Sequence, residues 1–77
     1  MLRAYEEIID FLAAGTTPGG LAAFEPSEVA KERVADLIHR EKITGLSAEE
    51  TSELNLYMQL EHIMRLAKAR ARGRLGA

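Results

Sequence analysis

"SAEETSELNLYMQLEHIMRLAKARARGR", residues 47–74, decides the fold. It opens with a capping box, Ser47 at the N-cap and Glu50 three residues on, each side chain placed to satisfy the other's backbone N–H. No proline follows, and no glycine until Gly73. The later part, "LAKARAR", is built of strong helix formers. The reading is one helix from about residue 48 to 72. At 1.5 Å per residue it is about 37 Å long. A compact domain of this size has a radius of gyration of about 11 to 12 Å and a diameter near ~30 Å. The helix therefore outruns its own globule. Its end must project or pack on another chain.

The middle of this helix is apolar over much of its circumference. At 100° per residue, Leu56, Tyr57, Leu60, Ile63, Met64 and Ala67 fill a continuous arc. Leu54 and Met58 extend it on one side, and Leu66 stands apart on the other. Two short helices cover about half of such a cylinder, and a helix apolar this far round is normally buried on more than one side. A second chain is expected, most simply in a two-fold homodimer. The alternative is a monomer with exposed leucines. The expected protein interface is Leu54, Leu56, Tyr57, Leu60, Ile63, Met64, Leu66 and Ala67. Asn55, Gln59 and His62 form a narrow polar stripe, either solvated or hydrogen-bonded across a dimer seam. Glu61 and Arg65 form a favourable i, i+4 pair.

Outward from this helix, two glycine-bearing breaks leave two shorter helical stretches. The first is expected over residues 2–14, with Tyr5, Ile8, Ile9 and Leu12 on one apolar face and Gly15 as a left-handed stop. "GTTPGG", residues 15–20, reads as a loop. Thr17 before Pro18 can start a helical turn, but Gly19 and Gly20 weaken it. "LAAF", residues 21–24, is either one helical turn or an extended arm, with Leu21 and Phe24 buried in both cases. The second helix is expected from Ser27, as N-cap, to Lys42. Ala30, Val34, Leu37 and Ile38 form its buried face, Asp36 and Arg40 pair at i, i+4, and Gly45 lies beyond its end. The expectation is an all-α, three-helix chain: two short helices and a long C-terminal one, in a single domain over residues 1–77.

Composition sets the outer bounds. The chain has 77 residues, 47% of them hydrophobic and 29% charged, with no cysteine. Disulfides and thiolate metal sites are excluded. A domain this small without a staple needs tidy helix packing or an oligomer. No apolar run approaches the roughly 18 residues of a membrane span, and the acids of "MLRAYEEIIDF" break any signal-peptide core. A soluble, cytoplasmic protein is expected.

The net charge of −2 conceals a split. Residues 1–62 carry five basic residues and all twelve acids, a net of −7, while residues 63–77 carry five basic residues and no acid, a net of +5. Such asymmetry can mark an interaction tail. Its residues are Arg65, Lys68, Arg70, Arg72 and Arg74. Arg65, Lys68 and Arg72 lie within about 60° of one another on the helix, with Arg70 and Arg74 nearly opposite. A helix laid on a duplex wants its cations on one face, and no aromatic residue is interleaved to stack on bases. The readings are a solvated helix end, contact with an acidic protein surface, or nucleic acid, in that order.

Catalytic chemistry finds no foothold. His39 and His62 sit on different helices, and Glu61 and His62 point about 100° apart, so no metal-ligand set forms. The carboxylates lie mostly on exposed faces without a desolvated pair. "GTTPGG" lacks the lysine and Ser/Thr of a phosphate loop. No catalytic residue, metal or cofactor is expected.

Nearly the whole chain resembles a family of small bacterial proteins frequent in cyanobacteria. The matching pieces are "IIDFLAAGTTP" (8–18), "FEPS" (24–27), "RVADLIHREK" (33–42), "GLSAEE" (45–50) and above all "YMQLEHIMRLAKARAR" (57–72). Gly19–Gly20 and the terminal "GRLGA" depart from the family pattern. Genes of that family often lie beside one for an HNH-type endonuclease. The resemblance implies an accessory or antitoxin-like protein with a nuclease partner, and it supplies no catalytic residue. The function expected is protein–protein interaction. The alternatives are a nucleic-acid-binding regulator working through its basic end, or a purely structural oligomer.

Overall fold

The computed structural model describes residues 3–76. Four helices occur among them: α1 (Glu6–Ala13), α2 (Pro18–Ala23), α3 (Glu28–Ile43) and α4 (Ala48–Gly76). The class is all-α, as the sequence predicts, with one helix more than the three expected.

The extra helix is α2. Thr17 sits in extended backbone and its hydroxyl accepts from the Gly20 N–H at 3.1 Å, with Pro18 at the first helical position. Cap and proline together outweigh the low helix propensity of Gly19 and Gly20. A Cβ at Gly20 would lie 2.9 Å from the Thr16 hydroxyl oxygen, so a larger residue there requires the exposed Thr16 side chain to turn away. Once formed, α2 lies along α4.

The first helix is shorter than expected. Its N-terminal side is a turn in which the Arg3 N–H donates to the Glu6 carboxylate at 2.6 Å. The start expected at residue 2 falls outside the described residues. Its inward face is also rotated from the expected one. Ile8 is buried and Tyr5 half-buried, but Ile9 and Leu12 are each 43% exposed. Ala4 and Phe11 turn inward instead. Phe11 meets Phe24 with ring centroids 4.4 Å apart. Phe24 and Leu21, expected to be buried, are half-buried.

The start of α4 and both ends of α3 follow the sequence closely, but α4 runs on through Gly73 to Gly76, past the end expected near residue 72. Ser27 caps α3, its hydroxyl accepting from the Ala30 N–H at 3.2 Å. The Glu7 carboxylate in turn accepts from the Ser27 N–H at 2.8 Å. The Ser27 hydroxyl donates to the same carboxylate, and these two bonds, the hydroxyl's first, hold the Glu7 carboxyl below its ordinary range and tie α1 to the start of α3. Gly15 and Gly45, at φ 82° and 85°, end α1 and α3 in the left-handed region. The capping box of α4 forms in both directions, each bond at 3.1 Å.

Ile8, Val34, Leu37, Leu54, Tyr57 and Met64 are the centre of the core. α4 has 29 residues, about 43 Å of helix. It gives the molecule its extents of 47 × 22 × 19 Å. The radius of gyration, 14.1 Å, exceeds the ~11.5 Å of a compact chain of this length.

Candidate interaction surface

The eight apolar residues expected at an interface divide into two sets. Leu54, Tyr57 and Met64 are buried in the chain's own core, and burial pushes the Tyr57 hydroxyl above its ordinary pKa. Leu60 and Ala67 are half-buried at the edge of that core. Leu56, Ile63 and Leu66 face outward, 36%, 55% and 60% exposed. α1, α2 and α3 cover one side of α4 and leave the adjoining apolar strip open.

Two grooves flank this strip. At its C-terminal end the α1–α2 loop and α2 (Thr17, Pro18, Leu21) stand against Ile63, Leu66 and Arg70, enclosing about 530 Å³. Arg74 lines the same groove. At the N-terminal end, Arg3 and Tyr5 face Ala48, Glu49, Ser52 and Leu56 across about 420 Å³. One face of α4 thus carries an acid at one end, leucine and isoleucine in the middle, and two arginines at the other end.

The five basic residues of the tail have different surroundings. Arg65 pairs with Glu61 at 3.2 Å, as its i, i+4 spacing predicts. Lys68 is half-buried and donates to the Phe24 carbonyl at the end of α2, its ammonium 5.8 Å from the Phe24 ring centroid. It fastens α2 to α4, a contact across 44 positions that no local pattern signals. Arg70 and Arg74 border the apolar groove. Arg72 is exposed on a different side of the helix.

A second polar feature was not legible in the spacing of the carboxylates. Glu53 is 5% exposed and accepts from the Ala4 N–H at 2.9 Å. It also takes both arms of the Arg33 guanidinium, at 3.0 and 2.9 Å. Those bonds hold its carboxyl below the ordinary range and the guanidinium above its own. Arg40 bridges Asp36 at 3.0 Å and Glu50 at 2.6 Å. Chiefly through Arg40, the Glu50 carboxyl is lowered to about 2. The one available signal was angular, because Glu53 falls between Tyr57 and Leu60 in the apolar arc. Both carboxylate oxygens of Glu50 and of Glu53 are turned to an arginine or a backbone N–H. The network ties α3, α4 and the N-terminal turn together.

His39 and His62 are both exposed. Among the described residues no group of three or more His, Asp or Glu is placed to hold a metal ion. No helix among them is long and apolar enough to cross a membrane.

Comparison with known proteins adds no relative. A scan of family models, a search of curated proteins and a search of solved structures each found no match.

Proposed function

We propose that this chain is a cytoplasmic protein–protein interaction module rather than an enzyme, and that it docks through the uncovered face of α4. The observation that carries the proposal is that Ile63 and Leu66, more than half exposed, line an apolar groove between α2 and α4. Buried apolar anchors supply most of the energy of an interface, and these side chains are set in a rigid helix for that role. The placement of the basic residues supports the same reading. Lys68 is committed to the Phe24 carbonyl and Arg65 to Glu61. Arg70 and Arg72 point to different sides of α4. That is a poor match to a phosphate backbone and a good match to a polar rim around an apolar patch.

The role of an antitoxin-like or accessory partner of a nuclease comes from the resemblance carried by "YMQLEHIMRLAKARAR" and its companion motifs. Capture by the tagged full-length chain from nuclease-treated extract of the native host tests it. A nuclease retained in stoichiometric amount by the wild type, lost with Ile63→Asp/Leu66→Asp and kept with Arg70→Gln/Arg72→Gln, is the expected result. Retention of nucleic acid instead, lost with the arginine variant, overturns it.

A further inference from the structure

A further cavity, of about 250 Å³, lies between α4 and residues 24–26, the segment that leads from α2 into α3. It shares no lining residue with the groove that carries Ile63 and Leu66. Its α4 wall is Tyr57, Glu61, Met64 and Lys68. Their steps of four, three and four put them on one helix face over about 16 Å. Ile8 and Phe24 add to the apolar lining.

Two polar groups in this lining are incompletely matched. Lys68 is half-buried, and its one acceptor among the described residues is the Phe24 carbonyl, a neutral group. A partly buried ammonium is costly without an anion. The other cations at the cavity have carboxylates: Arg65 has Glu61 at 3.2 Å and Lys31 has Glu28 at 3.5 Å. Tyr57 is 5% exposed, and no hydrogen bond to its hydroxyl occurs among the described residues. No fully enclosed side-chain oxygen or nitrogen among them lacks a partner. The Tyr57 hydroxyl therefore reaches open space, and the space it lines is this cavity.

We propose that the cavity binds a small amphipathic acid, a medium-chain aliphatic carboxylate whose head pairs with Lys68 and whose chain lies over Met64 and Ile8 toward the Tyr57 hydroxyl. The apolar stretch between the two polar groups selects a chain rather than an inorganic anion. An extended chain of octanoate's length, with a hydrogen bond at each end, spans the wall. Glu61, one turn from Tyr57, disfavours a second negative charge at that end, so the acceptor offered to the hydroxyl is a neutral one. This site is independent of the docking surface.

Methyl resonances of methionine and isoleucine in the purified full chain test it. Octanoate should shift the Met64 methyl saturably and leave Met58 and Ile63 unmoved, and octylammonium should shift none of them. Lys68→Met should weaken octanoate at least tenfold, the scale of a hydrogen bond to a charged group, and Lys68→Arg should recover most of the loss. The ω-hydroxy form of octanoate should bind about threefold tighter than octanoate itself, an advantage removed by Tyr57→Phe. An unmoved Met64 overturns the proposal, as does Ile63 shifting in step with it. So do octylammonium binding as well as octanoate, octanoate binding unchanged in Lys68→Met, and a hydroxyl advantage that survives Tyr57→Phe.

Discussion

Arg33 and Glu53 hold three segments in one place, and the cost of removing either is set by what it leaves behind. Arg33→Ala strands a buried carboxylate, so a loss of about 2–3 kcal/mol in unfolding free energy is expected by urea denaturation. Glu53→Gln should cost a similar amount at pH 7. The acid response follows from the depressed carboxyls of Glu7, Glu50 and Glu53. Groups held below their ordinary pKa stabilise the fold fully above the unfolded value, near ~4.3, and lose that contribution as pH falls. The thermal midpoint should be level from pH 7 to 5 and then drop between about 4.5 and 2, the value to which the Glu50 carboxyl is lowered. The gap between wild type and Glu53→Gln should close over the same interval, because wild-type Glu53 itself becomes neutral. At this scale the sequence exposes what is local. Ser27, Ser47 with Glu50, Asp36 with Arg40, and Glu61 with Arg65 all lie three or four residues from their partners. Arg33 with Glu53 is separated by 20 positions and Lys68 with the Phe24 carbonyl by 44, and only packing brings them together.

Among the elements, α4 is the one the sequence determines most completely, because its capping box, propensities and lack of breakers agree. Ser47→Ala should therefore lower stability by about 1 kcal/mol without moving the helix end. Gly45→Ala should cost about 1 kcal/mol or more, since φ is 85° there and a Cβ is strained in that region. α2 was the ambiguous element. Its glycines argue against a helix, its cap and proline argue for one, and contact with α4 decides. Lys68→Met should loosen it, since the Phe24 carbonyl at its C-terminal end loses its cation. Faster hydrogen exchange over residues 20–24, with α4 unaffected, is the expected sign. The face of α1 was misjudged for a related reason. Tyr5, Ile8, Ile9 and Leu12 satisfy helical spacing, but so do Ala4, Ile8 and Phe11, and the ring of Phe24 selects the second set.

For the whole molecule, the comparison of a helix of about 37 Å with a globule of about 30 Å already implied an elongated chain with spare apolar surface. The division of that surface was not legible, because a wheel shows the width of an arc and not which part the chain's own helices cover. α1, α2 and α3 take the side bearing Leu54, Tyr57 and Met64, leaving Leu56, Ile63 and Leu66 open. Two pairs of similarly exposed residues provide an internal control. Ile43 and Ile63 are 67% and 55% exposed, and Leu75 and Leu66 are both 60% exposed, but of these four only Ile63 and Leu66 line the apolar groove beside α2. The most direct measurement is the attenuation of their methyl resonances by a soluble paramagnetic probe, in the chain alone and in the chain bound to its captured partner. The account predicts that all four methyls are bleached in the chain alone, and that in the complex Ile43 and Leu75 stay bleached while Ile63 and Leu66 become protected. Equal bleaching of all four methyls in the complex would contradict it.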